Sequence, residues 1–384
     1  MIRSIRLQNL KCFESLSIDL APLTIFSGFN SAGKSTTIQA LLLLSQTLQG
    51  RNRLSSLNLN GPLTSLGSPA DVLGTSRAST PLLLGFSVDE TIDLLWEFQV
   101  SQDRRFLEAK SLTVHTETET LKLAGEELEG LRPSSAVENV DDALQKLQGI
   151  VYLSAARGIE SDVFPMPEAN DLEVGNVGSL GQYASWWLHR QEDALVSSSR
   201  GCGSKKDNLT VRNQLNAWAS HLFSQAELNS VPIQRTSLMR LELKTGLTAD
   251  WSRPANNGFG VSYAFPILMA GLGSPVGQTI IIDSPEAHLH PRGQSRMGSF
   301  LAQMAAAGVQ LLVETHSDHL LNGVRIALRD RLISPEQVAI YFFTGRDDAR
   351  VVRLSVSRDG GISDWPEGFF DQSEKDLAKL AGWS

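Results

Sequence analysis

One run of this chain has the residue types and spacing for phosphate chemistry: Gly28-Phe29-Asn30-Ser31-Ala32-Gly33-Lys34-Ser35. It satisfies G-x-x-x-x-G-K-[ST] at every fixed position. A glycine-rich turn of this kind exposes successive backbone N–H groups to an anion at the start of the following helix. The amides of Gly28, Asn30, Ser31, Ala32 and Gly33, with Thr36 just beyond, are expected to wrap the phosphates. Lys34 is expected to reach the β- and γ-phosphates, and the Ser35 hydroxyl to complete the shell of a Mg²⁺ ion. The chain has no guanine-reading Asn-Lys-x-Asp tetrapeptide, and ATP is the expected nucleotide.

Two further groups lie in the second half of the chain. Thr279-Ile280-Ile281-Ile282-Asp283 reads as a buried strand ending in a carboxylate, a second ligand for the same Mg²⁺ if the strand lies beside the one that feeds the phosphate loop. After Ser284-Pro285-Glu286-Ala287-His288-Leu289-His290-Pro291 and a helix comes another strand, Val309–Glu314, which runs into Glu314-Thr315-His316-Ser317-Asp318-His319. A histidine at such a strand end is placed to meet a γ-phosphate or its attacking water. Upstream, Asn256-Asn257-Gly258-Phe259-Gly260-Val261-Ser262 is expected to open a helix with a Ser N-cap. With one phosphate loop already present, this second anion-seeking helix start, carried by Gly258, Gly260 and Ser262, would serve the nucleotide of a facing subunit.

These groups need elements to hold them. Leu23 to Phe26 reads as the strand before the phosphate loop, and Thr36 to Leu48, free of Gly and Pro, as the helix after it. Ile2–Asn9 and Leu16–Leu20 read as strands, and Pro81–Val100 and Phe106–Leu123 alternate as antiparallel strands do. Residues 124–142 read as a linker or exposed helix, and Val151–Ser154 as a brief strand. Asn176–Leu228 reads as helical, with Trp186, Trp187 and Trp218 as packing residues rather than a base-stacking platform. Arg240–Leu247 is strand-like, Gln294–Ala307 helical, and the end reads strand, strand, helix (Val338–Phe343, Val351–Val356, Ser373–Leu380). Lys34 and Asp283 are so far apart in sequence that an insertion must separate two halves of one ATPase domain. The expected division is 1–123, a largely helical insertion at 124–235, a second lobe at 236–334, and a tail at 335–384.

Composition agrees with a soluble globular protein: 384 residues, 41% hydrophobic and 20% charged. No apolar run is long enough to span a bilayer, and no signal peptide opens the chain. Cys12 and Cys202 form no metal or disulfide pattern, so the cytoplasm is the expected location. The net charge of −8 argues against a protein coated in positive potential, but leaves room for a local nucleic-acid groove. The one basic cluster, Arg200 to Lys206, reads as a mobile surface loop.

The ordered set Asn9-Leu10-Lys11-Cys12-Phe13, G-x-N-x-A-G-K-S, glycine-rich helix start, D-x-P-E-A-H-L-H-P and E-T-H-S resembles the ABC-type ATPase heads of the RecF, SMC and OLD kinship. It is most similar to a prokaryotic group of AAA-labelled ATPases with a C-terminal domain of unknown function, which ends in a signature matched here by Trp365-Pro366-Glu367-Gly368-Phe369-Phe370-Asp371. The resemblance implies an α/β P-loop ABC-type head with a mixed central sheet, antiparallel N-terminal strands and an inserted helical region. It also implies a homodimer that sandwiches two ATP molecules, with Gly258, Gly260 and Ser262 closing on the partner's γ-phosphate. His316 would be the switch histidine, and Lys11 would approach the ribose or α-phosphate. Relatives act in DNA repair or anti-phage defence beside nucleases, which implies a nuclease or other effector subunit as partner.

One position departs from this pattern. The residue after the Mg²⁺-binding aspartate is usually Glu, the base that orients water; here it is Ser284. Hydrolysis then needs another carboxylate, Glu286 first and Glu314 second, or it is very slow. A non-hydrolysing, nucleotide-gated interaction module is therefore the rival from outside the enzymes. A second rival is a metal-dependent hydrolase built on His288, His290, His316 and His319. Glu242-Leu243-Lys244, an E-x-K fragment, is too short a pattern to carry a nuclease.

Overall fold

The computed structural model describes the chain except for residues 51–54, 74–79, 90–91, 158–161, 169–173, 204–207, 247–249, 257–258, 346–350, 364 and 383–384. The chain divides into two compact units, each discontinuous in sequence. The first is Met1–Ala21, Phe29–Ile150 and Phe343–Val351; the second is Pro22–Gly28, Val151–Phe342 and Val352–Ser384.

The chain opens with a hairpin of β1 (Ile2–Leu10) and β2 (Phe13–Asp19), followed by β3 (Leu23–Gly28) and α1 (Lys34–Gln49). After the single turn α2 (Pro69–Val72) come β4 (Leu82–Val88), β5 (Ile92–Val100), β6 (Leu107–Thr116) and β7 (Thr120–Ala124). In the first unit these strands form a sheet of order β2-β1-β4-β5-β6-β7, antiparallel throughout. Alternate residues of β5 (Ile92, Leu94, Trp96, Phe98) are buried, as a sheet with one covered face requires. Phe86 and Trp96 stack across the β4–β5 pair, and the Trp96 indole N–H donates to the Leu131 carbonyl at 3.0 Å. Helix α1 is buried on nearly all sides, which its run Ala40-Leu41-Leu42-Leu43-Leu44 demands.

The stretch expected as a linker or exposed helix holds a small hairpin, β8 (Leu128–Glu129) with β9 (Arg132–Pro133), and then the start of α3 (Val140–Gln148). Val140, Ala143, Leu144 and Leu147 bury one face of α3, and α1 is among its contacts. Their i, i+3, i+4, i+7 spacing is helical, but an acidic, proline-containing lead-in hid it.

The second unit begins its long segment with β10 (Val151–Leu153), β11 (Val163–Pro165), α4 (Ala184–Gln191) and α5 (Val211–Phe223). There follow β12 (Ala226–Pro232), β13 (Leu238–Thr245), α6 (Phe259–Gly273), β14 (Thr279–Asp283), α7 (Pro291–Ala306) and β15 (Gln310–Glu314). The last elements are α8 (Asp318–Arg329), β16 (Val338–Phe343), β17 (Val351–Leu354) and α9 (Gln372–Leu380). The central sheet has the order β10-β14-β15-β3-β16-β17, and its first four strands are parallel. Asp283 pairs with Glu314, and Glu314 with Phe26, so β14, β15 and β3 end level with one another. Carboxyl ends of parallel strands are where open α/β sheets bind ligands.

The stretch expected to be helical through Leu228 is not helical throughout. Helices α4 and α5 are separate elements, and β12 belongs to a three-stranded sheet of order β11-β13-β12. Trp187 and Trp218 are buried in the core of this unit, as packing residues should be. Arg200 corrects the mobile-loop expectation: it is 6% exposed and its guanidinium donates to the Gly271, Leu272 and Ser274 carbonyls at the C-terminal end of α6. A cation there satisfies orphan carbonyls and meets the negative end of the helix dipole. Residues 204–207, with both lysines of that cluster, lie outside the described residues. Among the described residues no helix is long and apolar enough to cross a membrane.

Candidate functional site

The phosphate loop lies between β3 and α1. Its backbone takes left-handed dihedrals at Ser31 (φ 61°) and Gly33 (φ 107°), with Gly28 at φ 136°. Alternation of this sort turns successive N–H groups inward, the concavity that receives anions. Gly33 is required twice over. A Cβ there would meet the Phe13 ring at 2.3 Å, and its φ is one that side chains rarely adopt. Lys34 is 3% exposed and folds back so that Nζ donates to the Phe29 carbonyl at 2.8 Å. Asn30, Ser31 and Ser35 are exposed, whereas Ala32 and Thr36 are buried. Lys11 (φ 50°) is half-buried, and its ammonium donates to Gln39 Oε1 of α1 at 2.8 Å. Burial lowers its pKa, partly offset by Cys12.

In the second unit the ends of β14 and β15 bring Asp283, Glu286, Glu314 and His316 into one group. Ser284 has a left-handed φ of 50°; its N–H donates to the Glu314 carbonyl at 2.8 Å and its hydroxyl to Asp283 Oδ1 at 2.8 Å. The residue that sequence treats as a missing base therefore orients the carboxylate expected to bind Mg²⁺. Glu286 Oε1 accepts from the His316 N–H at 2.9 Å, and Oε2 is buried with no hydrogen-bond partner among the described residues. Burial raises the Glu286 pKa; the hydrogen bond from the His316 N–H and the charge of Arg157 offset part of that. Glu314 is 6% exposed, inside β15, and the His316 side chain is exposed. Thr315 is fully buried and its N–H donates to the Phe26 carbonyl at 3.0 Å, which ties this turn to the strand that feeds the phosphate loop. Tyr152 of β10 senses the group: burial first, then the Asp283 charge, pushes its hydroxyl pKa up.

An aspartate at a strand end, with its Oδ1 held by the Ser284 hydroxyl, has the oxygen chemistry that Mg²⁺ takes from protein while it keeps several waters. Among the described residues no three His, Cys, Asp or Glu side chains converge as a metal cluster, so the hydrolase reading of the four histidines has no geometric support there. His288 instead packs its ring against Tyr263, with centroids 4.2 Å apart and the ring planes tilted by 47°.

The third group is placed differently from expectation. Gly258 lies outside the described residues. Helix α6 begins at Phe259, so Ser262 sits inside the helix rather than at its cap, and it is 1% exposed. Gly260 is half-buried, and a Cβ there would lie 2.9 Å from the His288 carbonyl. The start of α6 is therefore pressed against the loop between Asp283 and His290. Pro266 lies within α6 and withholds the N–H that would bond the Ser262 carbonyl.

Sequence reasoning missed Ser284 as a donor, Thr315, and Arg157, which is 1% exposed and reaches the Asp283 and Ser284 carbonyls. The one available signal for Arg157 was a lone arginine in the small-residue run Ser154-Ala155-Ala156-Arg157-Gly158 after a brief apolar strand.

Comparison with known families matches residues 1–152 to a model described as "AAA ATPase domain". Residues 203–322 match "AAA domain, putative AbiEii toxin, Type IV TA system", and residues 333–380 match a protein of unknown function, DUF3696. No curated protein matches the chain. Among solved structures, an Smc head bound to the C-terminal winged-helix domain of ScpA is 14% identical. It covers 93% of this chain and 98% of its own, with a TM-score of 0.54. An Smc head with an extended coiled coil, bound to the C-terminal domain of ScpA derived from Pyrococcus furiosus, is 14% identical. It covers 99% of each chain, with a TM-score of 0.52. The chain thus carries two AAA ATPase domain matches and a C-terminal match of unknown function on an α/β fold of the Smc-head type.

Proposed function

We propose that this protein is a Mg²⁺-dependent ATPase that closes a head-to-tail homodimer on ATP and thereby gates a partner protein. The loop amides and Lys34 bind the phosphates, and Lys34 exchanges its bond to Phe29 for them. Ser35 and Asp283 hold Mg²⁺, which offsets phosphate charge when bound. Ser284 keeps the Asp283 carboxylate oriented. Glu286 is the general base: one oxygen is anchored by the His316 N–H, which leaves the other to take a proton from water. The observation that carries this assignment is the buried Oε2 of Glu286, which has no hydrogen-bond partner among the described residues and lies in the turn just past Asp283. Glu314 is the second candidate, and His316 meets the γ-phosphate. Gly258, Gly260 and Ser262 mark the helix that closes on the partner's nucleotide. Because Ser262 is covered in the single chain, its role there is to set that helix rather than to touch phosphate.

The Smc heads are solved with ScpA bound, and by analogy this head works with a partner protein, here a nuclease or other effector in the cytoplasm. The setting is DNA repair or anti-phage defence, with nucleic acid a ligand of the assembly. The second reading, a nucleotide-gated module with negligible turnover, draws on the Ser284 hydroxyl, which is committed to Asp283 and leaves no base at that position.

ATP binding and steady-state hydrolysis separate these readings. Lys34→Ala should abolish tight ATP binding. Glu286→Gln should retain binding and lower kcat by about 100-fold or more, the scale of a lost general base, with a smaller loss for Glu314→Gln. Negligible turnover by the parent, unchanged by either carboxylate variant, would establish the switch. A parent that does not bind ATP would remove both readings.

A further inference from the structure

The Arg157 guanidinium is 1% exposed, and among the described residues it makes none of the direct ion pairs usual for a buried charge. Instead it donates to four backbone carbonyls drawn from three elements. Nε donates to Tyr263 of α6 at 3.3 Å, Nη1 to Ser154 after β10 at 2.9 Å and also to Asp283, and Nη2 to Ser284 at 2.7 Å. The guanidinium carbon lies 5.8 Å from the centre of the Tyr263 ring, close enough for a cation–π contact. The same Tyr263 ring also meets the His288 ring, from the loop beyond Asp283. The charges of Asp283 and Glu286 support the protonated form, although burial lowers the pKa to about 10.

From this we infer that Arg157 is a positioning residue for the ATPase reaction. Its rigid fork fixes the Asp283–Ser284 peptide, from which both the Mg²⁺-binding carboxylate and the Glu286 loop extend, and locks it to the first turns of α6. Two carbonyls of adjacent residues, held by two arms of one planar group, have a defined direction that a flexible ammonium cannot impose. This inference rests on the ATPase reading above. It goes further in making the start of α6, the proposed contact for a partner's nucleotide, and the end of β14 move as one body within a protomer. A shift of α6 on closure then reaches the Asp283 peptide through one side chain.

The test compares Arg157→Lys with the parent in ATP binding, kcat, the Mg²⁺ concentration for half-maximal rate, and thermal melting. Phe300→Leu, a core variant on α7, serves as the control for stability alone. Arg157→Lys is expected to keep the ATP Kd within about threefold, lower kcat about tenfold or more, and raise the Mg²⁺ requirement, the consequence of a displaced metal ligand. Phe300→Leu should lower the melting temperature without moving the Mg²⁺ requirement. An Arg157→Lys protein whose kcat and Mg²⁺ requirement match the parent, while Asp283→Asn is inactive, would overturn the inference and leave Arg157 a structural residue. Should Arg157→Lys fail to fold, Tyr263→Leu keeps the guanidinium and all four acceptors but removes the ring beneath them. It should give the same split on a smaller scale, and unchanged Mg²⁺ dependence in that variant would equally overturn the inference. Failure of the ATPase reading itself would appear separately, as absence of ATP binding by the parent.

Discussion

At the scale of single residues, the contrast between Ser284 and Glu286 decides how the site can work. Ser284 is turned by its left-handed backbone toward Asp283, where its hydroxyl is a donor. Glu286 lies two positions on, anchored through one oxygen and desolvated at the other. Burial disfavours its ionised form, so its pKa lies above the ordinary carboxylate range. A general base must be ionised, and the rate therefore falls as pH drops through this raised value. The acid limb of the kcat–pH profile should accordingly sit higher than an exposed Glu would place it. It should be missing from the residual activity of Glu286→Gln. A limb at ordinary carboxylate pH in the parent would remove Glu286 as the base.

Among the elements, α8 shows how a helix start can set a strand end. The Ser317 hydroxyl accepts from the Leu320 N–H at 3.0 Å and donates to Gln294 Oε1 of α7 at 2.6 Å, with the residue 6% exposed. It caps α8 immediately after His316 and ties that cap to α7. Ser317→Ala should cost about 1–2 kcal/mol, the range of a lost N-cap, seen as a lower melting temperature and a weaker denaturant midpoint. Binding of ATP should change little, because the phosphate loop lies on another element. An unchanged melting temperature would show that water or a neighbour replaces the cap. The Thr36–Leu48 helix and the Leu23–Phe26 strand were legible in sequence because their patterns are local and uninterrupted; both extend only a residue or two further in the fold. Strand β13 overlaps the strand-like reading of Arg240–Leu247, but its partners β11 and β12 were not legible: β11 is only three residues long, and β12 was read as the end of a helical stretch.

For the molecule as a whole, the proposed output is association. A ligand that contacts two protomers favours the closed pair by its differential affinity for that state. Glu286→Gln with Mg-ATP should therefore double in mass by light scattering, and the same protein with ADP should remain at the monomer mass. Lys34→Ala should not respond to either nucleotide. A Glu286→Gln protein that binds ATP and stays monomeric would remove the sandwich from the mechanism.

The sequence alone determined the phosphate loop, the strand that ends in Asp283, the turn that ends in His316, and the strand–strand–helix tail. Each is a short run whose dihedral preferences and burial pattern are set by near neighbours. Tertiary structure alone decided what those side chains do. Arg157 reaches Asp283 across 126 positions, Glu286 meets His316 across 30, and Thr315 bonds Phe26 from another part of the chain. No local pattern records such contacts. The burial that raises the Glu286 pKa, the cover over Ser262 and the capping duty of Arg200 all depend on which distant elements the sheet brings alongside. Motif spacing names the chemistry; which carboxylate is left with a bare oxygen is a property of the packed strand ends.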